Sequence, residues 1–172
     1  MDIKTRNRHF QNLMQHHQGI LYRVALAYCS DDEDRKDLMQ EMKLQVWEAL
    51  PRYKEQAQIS TWLYRVALNT ALNFYRENKT KAKKKQLFQE DSLRVPFDDS
   101  PNREAMLQQL EQFIQELDPL DKALMVLYLE DKSQKEIADI LGLSISNIST
   151  KVNRIKSRMK KRFTQFNPDP HE

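Results

Sequence analysis

The stretch from Ser133 to Lys161 limits what this chain can fold into more than any other, because it reads as two helices joined by a tight turn. Ser133 and Glu136 have the spacing of a capping box, which predicts that the first helix starts there. Gly142 follows the apolar face of this helix and can supply the positive φ that ends it. Ser144 predicts the N-cap of the second helix, whose apolar residues repeat at intervals of three and four positions. These residues are Ile145, Ile148, Val152, Ile155 and Met159.

This arrangement is typical of a helix-turn-helix. Ala138, Gly142 and Ile148 stand where that motif needs a small residue at the helix contact, a turn glycine and a buried anchor. Short hydrogen-bonding side chains and one arginine lie on or beside the face opposite the apolar stripe, and such residues suit base edges and phosphates. They are Asn147, Ser149, Thr150, Lys151, Asn153, Arg154 and Ser157. An ordinary amphipathic helix pair is the alternative, but the agreement of turn, spacing and basic tail favours DNA binding.

The rest of the chain also predicts helices. The 172 residues include only two glycines, and apolar residues recur with helical spacing throughout. Three helices are predicted before a linker and four after it, including the helix-turn-helix. The first five span about 9–28, 33–50, 61–78, 101–117 and 119–130, with Ser100-Pro101 and Asp118-Pro119 as the start signals of the last two. An all-α fold is therefore expected.

Charge divides the chain into blocks. Nine basic and two acidic residues give residues 51–85 a net charge of +7, whereas three basic and ten acidic residues give 86–130 a net charge of −7. Residues 131–172 are basic again, at +4. Two basic blocks separated by an acidic one indicate two separate contacts with a polyanion. Periodicity is lost over 86–100, so we expect domains at 1–85 and 101–172 joined by a flexible linker.

Several classes of protein are disfavoured. The single cysteine, Cys29, permits no internal disulfide and is expected to be a small buried filler in a reducing compartment. No apolar run is long enough to span a membrane, and the N-terminus lacks the apolar core of a signal peptide. The four histidines have no partners at metal-ligand spacing, so neither a metal nor a cofactor is expected.

The third predicted helix carries a second candidate surface. Trp62, Arg65, Asn69, Asn73 and Arg76 follow one narrow stripe at steps of three and four residues. An aromatic ring, two amides and two arginines suit base stacking, amide hydrogen bonding and backbone contact. On this helix alone, a core tryptophan with incidental polar neighbours explains the pattern equally well. The basic run 79–85 beside the stripe is interpreted as a phosphate contact.

Three stretches together resemble a bacterial RNA polymerase sigma factor of the sigma-70 family, extracytoplasmic-function (ECF) type. Asp37–Trp47 is similar to the helix of that family that binds polymerase, and Ser60–Arg76 to the helix that contacts the promoter −10 element. Leu117–Lys161 is similar to the family's fourth region, which reads the −35 element. The resemblance covers nearly the whole chain in the expected order. It implies a region 2-like domain over 1–85, a linker over 86–100 and a region 4-like domain over 101–172.

The resemblance also implies roles for individual residues. The residues implied to dock on the β′ coiled coil of the polymerase are Asp37, Gln40, Glu41 and Leu44. Those implied to contact the −10 element are Tyr53, Lys54, Thr61, Trp62, Arg65, Asn69, Asn73 and Arg76. Those implied to contact the −35 element are Ser149, Thr150, Lys151, Asn153 and Arg154. The loop at 54–58 lacks the small residues and glycine that are frequent in the family, which leaves the preferred −10 base open.

The implied function is a cytoplasmic, non-catalytic specificity subunit. Its expected partners are core RNA polymerase, through the β′ coiled coil and the β flap, promoter DNA and an anti-sigma factor. A helix-turn-helix regulator with an N-terminal dimerisation or sensing domain is the first alternative, although it leaves the Asp37/Glu41 face and the Trp62 stripe unexplained. An enzyme acting on nucleic acid is strongly disfavoured, because the sequence shows no paired catalytic carboxylates, phosphate-binding glycine loop or nucleophile–base pair.

Overall fold

The computed structural model describes residues 2–54, 56–85 and 103–164, in which every regular element is helical. The N-terminal domain contains α1 (Ile3–Tyr28), α2 (Asp32–Ala49) and α3 (Ile59–Lys85), with a short 3-10 turn at Leu50–Arg52. The C-terminal domain contains α4 (Arg103–Glu116), α5 (Pro119–Leu129), α6 (Gln134–Leu141) and α7 (Ile145–Thr164). The all-α prediction and the division into three and four helices are confirmed for these residues. The Ser100-Pro101 start signal lies outside them.

The N-terminal domain is a bundle in which each of α1, α2 and α3 packs on the other two. Apolar residues at helical spacing supply its core, including Leu21, Val24, Leu38, Met42 and Leu63, all fully buried. The Asp31 carboxylate caps α2 by accepting hydrogen bonds from the backbone N–H groups of Glu33 and Asp34. The apolar stripes thus fix which faces of α2 and α3 remain exposed.

Two helices are longer than the sequence pattern predicts. α1 begins at Ile3 rather than near residue 9, because the Asp2 carboxylate caps it by accepting from the Thr5 N–H at 3.0 Å. α3 continues to Lys85 rather than ending near residue 78. The added segment, 79–85, has no glycine or proline and contains five lysines and one alanine, which are residues that favour helix. Cations at a helix C-terminus also interact favourably with the helix dipole.

The helix-turn-helix forms as predicted. The Ser133 hydroxyl accepts from the Glu136 N–H at 3.2 Å, and the Glu136 carboxylate accepts from the Ser133 N–H at 2.9 Å. Gly142 ends α6 in the left-handed region, with φ 68° and ψ 34°. The Ser144 hydroxyl caps α7 by accepting from the Asn147 N–H at 3.2 Å. Local hydrogen bonds therefore define both ends of the turn.

Replacing Gly142 by alanine is expected to destabilise the protein by about 1 kcal/mol, because a left-handed φ is unfavourable for a residue with a Cβ. A Cβ at Gly142 would meet nothing within 4 Å, so the cost is conformational and not steric. Gly19→Ala is the matched control, because Gly19 lies inside α1 and its Cβ would meet only the flexible Arg23 side chain, at 3.3 Å. Alanine there should be neutral or stabilising. Urea unfolding followed by circular dichroism measures both, and equal losses would contradict the explanation.

The two domains pack against each other through α1 and α3 on one side and α4, α5 and α6 on the other. The Tyr28 hydroxyl donates to the Pro119 carbonyl at 2.5 Å, and the Gln115 amide donates to the Leu26 carbonyl at 2.7 Å. The ammonium group of Lys122 in α5 lies 5.8 Å from the ring centre of Tyr28 and 5.3 Å from that of Tyr75. Lys122 is buried, and this burial lowers its pKa. The contact therefore places a cation between two aromatic rings of the other domain.

Cys29 is buried, as the sequence predicts. Burial raises the pKa of its thiol to about 11, and the nearby Asp34 carboxylate is the second largest cause of this rise. The thiolate is the reactive form, and in an unfolded chain the pKa of cysteine is about 8.5. We therefore expect iodoacetamide at pH 8 to modify native Cys29 at least about a hundredfold more slowly than the urea-unfolded protein. Mass spectrometry of timed samples measures this ratio, and similar rates would show that the thiol is accessible.

Candidate nucleic-acid interface

A groove of about 800 Å³ runs between α2 and α3. The α2 wall contains all four residues for which the resemblance implies polymerase docking: Asp37, Gln40, Glu41 and Leu44. All four are exposed, and Leu44 is a large apolar side chain that leaves 48% of its surface accessible. The Gln45 amide donates to the Glu41 carboxylate at 3.1 Å. This wall therefore presents an exposed leucine beside two carboxylates, a combination suited to protein contact.

The α3 wall of the same groove contains Asn69 and Asn73, both exposed. The predicted stripe continues along α3 to Arg65 and Arg76, which are also exposed. The Arg65 guanidinium donates to the backbone carbonyl of Asp139 in α6 at 2.8 Å. The structure thus brings the two asparagines beside the α2 face and ties one arginine of the stripe to the C-terminal domain.

An aromatic pair lies at the N-terminal end of the stripe. The rings of Tyr53 and Trp62 are 5.0 Å apart, centre to centre, and tilted by 40°. The Tyr53 hydroxyl donates to the Ala57 carbonyl at 2.6 Å, which links two residues of the connection between α2 and α3. Both rings are half-buried, so each packs against the bundle while keeping part of its surface accessible. Lys54 is exposed in this connection, whereas Thr61 is buried and its side chain does not extend the exposed stripe.

The predicted recognition face of α7 is partly held by neighbouring residues. The Ser149 hydroxyl donates to the Gln134 side chain at 2.6 Å, and the Thr150 hydroxyl donates to the Ser146 carbonyl at 3.0 Å. Thr150, Asn153 and Arg154 are exposed, whereas Ser149 and Lys151 are half-buried. All five predicted residues therefore lie on one helix with different degrees of accessibility.

Asp121 is the residue near this face that the sequence reasoning missed. Its side chain is fully buried, and its two oxygens accept from the Lys151 ammonium at 3.0 Å and the Arg154 guanidinium at 2.6 Å. Burial disfavours the charged carboxylate, but these two hydrogen bonds outweigh it and hold the pKa of Asp121 below its usual value. In the sequence, Asp121 is only an acidic residue near the start of an apolar helix. The Asp118 N-cap already accounts for the start of that helix, so the sequence does not single out Asp121.

Other kinds of site receive no support from the described part of the chain. In residues 2–54, 56–85 and 103–164, no group of three or more histidine, cysteine or acidic side chains could hold a metal ion. None of the helices in those ranges has the length and apolar character needed to cross a membrane.

Comparison with known families assigns both domains. Residues 13–81 match the family described as Sigma-70 region 2, and residues 107–159 match Sigma-70, region 4. The two matches fall in this order on the α1–α3 bundle and on the α4–α7 domain. The chain belongs to the sigma-70 family of RNA polymerase sigma factors. The type is the extracytoplasmic-function type, in agreement with the names of several relatives.

Two curated relatives align with this sigma factor over most of their length. RNA polymerase sigma factor YlaC of Bacillus subtilis is 28% identical over 138 residues, which are 77% of this chain and 79% of that protein. ECF RNA polymerase sigma factor SigM of the same organism is 25% identical over 153 residues, covering 86% and 91%. The sigma-factor assignment therefore covers both domains together.

Solved structures show the same fold. CnrH, in complex with the cytosolic domain of CnrY, superposes with a TM-score of 0.66 at 22% identity, covering 92% of this chain and 90% of that one. RpoE from Bartonella quintana, in complex with the anti-sigma factor NepR, gives a TM-score of 0.68 at 18% identity, covering 95% and 99%. At these identities the likeness concerns the fold and leaves the roles of individual residues to be argued from this chain.

Proposed function

We propose that this sigma factor uses three exposed surfaces for three contacts during transcription initiation. The α2 face binds the β′ coiled coil of core RNA polymerase, the α3 stripe binds the melted −10 element, and α7 reads the −35 element. The observation that carries the proposal is the groove in which the α2 face and the asparagines of the α3 stripe form opposite walls. One bundle can thereby hold polymerase and the opened strand side by side.

The polymerase contact combines an apolar anchor with charge. Leu44 supplies exposed apolar surface, while Asp37 and Glu41 lie two turns and one turn before it on the same wall of the groove and are suited to basic groups on the partner. Residues that dominate protein interfaces are buried at the centre of the contact and surrounded by polar ones. The C-terminal domain provides the additional contact with the β flap.

Melting is driven by binding of the open strand, without catalysis by the sigma factor. Bases that leave the stack lose a few kcal/mol each, and stacking on an aromatic ring returns about 1–3 kcal/mol per base. Trp62 provides such a ring, and Asn69 and Asn73 lie farther along the same stripe with amides that can hydrogen-bond to bases. Polymerase supplies the chemistry of RNA synthesis, and the sigma factor acts in the cytoplasm where that polymerase works.

Simultaneous binding of both promoter elements requires the two domains to separate. The elements are named for positions about 25 base pairs apart, which corresponds to about 85 Å of duplex at 3.4 Å per base pair. A compact chain of this length has a radius of gyration of only about 16 Å. The bond from Arg65 to Asp139 and the salt bridge between Arg23 and Glu130 must therefore break. An anti-sigma factor that stabilises the packed arrangement would therefore inhibit the protein. The Bartonella quintana RpoE was solved with a partner of this class, the anti-sigma factor NepR.

Run-off transcription with purified core polymerase and a randomised promoter library tests the proposal. We expect promoter-dependent transcripts only when sigma factor and core are both present, with enriched sequence at both elements. Binding of the isolated protein to duplex sites, with no effect of core polymerase, would instead identify the helix-turn-helix regulator considered above. Absence of any affinity for core polymerase would overturn the proposed function.

A further inference from the structure

We propose that Asp121 is a positioning residue that orients Arg154 for base reading in the −35 element. This inference rests on the proposed role of α7 in −35 recognition. Asp121 lies in the first turn of α5, where the Asp118 side chain caps the helix by accepting from the Asp121 N–H at 3.0 Å. It reaches α7 from outside the helix-turn-helix itself, so the recognition helix is held by a neighbouring helix.

The bonding of Asp121 is divided between the two cations. Oδ1 accepts from Lys151, and Oδ2 accepts from Arg154. The two cations are three residues apart on α7 and therefore lie on the same side of that helix. A fully buried carboxylate is unfavourable unless it is paired and hydrogen-bonded, and here both oxygens have charged donors. The arrangement ties one face of α7 to a fixed point in the core.

Arg154 is accessible although it is paired. Its side chain is 55% exposed, whereas the Lys151 side chain is 20% exposed. A guanidinium has five N–H donors in a rigid plane, and Asp121 engages only its Nη2 atom. Fixing one edge of this plane also fixes the direction of the other edge. Because arginine reads guanine through two parallel hydrogen bonds, a plane that is oriented before binding favours that geometry.

Lys151 has a different part in the cluster. Its ammonium is a compact charge without a planar edge, so holding it in place specifies no direction toward a base. It helps to neutralise Asp121, and the cluster of one carboxylate and two cations keeps a net positive charge toward DNA. We therefore expect Arg154 to discriminate between bases and Lys151 to contribute to affinity for any DNA sequence.

The test uses the full chain assembled with core polymerase. Affinity is measured for a promoter with the preferred −35 element and for a set carrying each single base-pair substitution in that element. Asp121→Asn is expected to lose about tenfold in discrimination at one base pair, the same one at which Arg154→Ala loses it. In the Arg154→Ala background, Asp121→Asn should change that ratio less than twofold, because its effect acts through the arginine. Asp139→Asn removes an exposed carboxylate from α6 and is the matched control, with no change in discrimination.

A second variant protects the test against misfolding. Asp121→Glu retains the charge but moves the carboxylate by one methylene, so it should shift Arg154 and reduce the same discrimination by a smaller factor. Each ratio compares two DNAs bound by one protein sample, so an inactive fraction of that sample cancels.

The outcomes separate the inference from the proposed function. If the wild-type protein prefers no base pair in the −35 element, the role of α7 is wrong, and the inference fails with it. If Arg154→Ala loses discrimination at one base pair while both Asp121 variants keep it, the inference alone is wrong. Uniform weakening of all sites by the Asp121 variants would show that the carboxylate only stabilises the domain and would also overturn the inference.

Discussion

Replacement of Trp62 by alanine is expected to slow open-complex formation about 10- to 100-fold while changing affinity for core polymerase less than about threefold. The expected loss corresponds to the 1–3 kcal/mol that one base gains by stacking on an aromatic ring. Polymerase affinity should be spared because the docking residues lie on α2, whereas Trp62 lies in the first turn of α3. Permanganate reactivity of unpaired thymines measures opening, and fluorescence anisotropy with labelled protein measures the affinity for core polymerase.

Two controls separate stacking from packing, because Trp62 is half-buried against Tyr53. Trp62→Leu keeps apolar contact with the bundle but removes the large flat ring, so it should show most of the same defect in opening. Trp47→Leu alters a half-buried tryptophan of the same bundle, whose ring is edge-on to Phe10 at 5.4 Å. It should lower stability without a specific defect in opening. A parallel loss of opening and polymerase binding in Trp62→Ala would contradict the assignment of Trp62 to the −10 strand.

The double variant Asp37→Lys/Glu41→Lys is expected to weaken binding to core polymerase at least about thirtyfold. Both carboxylates are exposed on one wall of the groove, so reversal of their charge should leave the fold intact and place like charges against the basic partner surface. Residues that dominate an interface typically contribute 2 kcal/mol or more when they are replaced, which corresponds to this factor. Leu44→Ala should give a loss of similar size by removing the apolar anchor.

Lys36→Glu is the matched control for the charge reversals. Lys36 is adjacent to Asp37 in sequence and lies one turn before Gln40, at the edge of the docking face, where it pairs with exposed Asp32 at 2.7 Å. Its reversal adds a negative charge and therefore places no like charge against a basic partner surface. An exposed pair of this kind contributes little to stability, so the control should fold normally and bind core polymerase with the affinity of the wild type. Equal weakening by Lys36→Glu and the double variant would indicate a general effect of charge and exclude a specific docking face. Normal binding by the double variant would show that polymerase docks elsewhere.

Features that depend on residues close in sequence could be predicted well. The capping box of Ser133 and Glu136, the left-handed Gly142 and the Ser144 cap each involve groups within four positions of one another. The stripe of α3 follows in the same way from helical periodicity. The start of α1 was missed because the cap at Asp2 lies outside the apolar pattern from which that helix was predicted.

The sequence by itself determined the helices, their exposed faces and the sigma-factor resemblance, because caps and a 3.6-residue period arise from short-range geometry. Only the tertiary structure decided which faces meet. Asp121 pairs with Lys151 and Arg154 across 30 and 33 positions, and Arg65 bonds to Asp139 across 74. Such pairs depend on how rigid helices pack, so they cannot be predicted from a local sequence pattern. Helical spacing therefore predicts that Arg154 lies on the recognition face, but it does not predict the hydrogen bond from Arg154 to the buried Asp121 carboxylate.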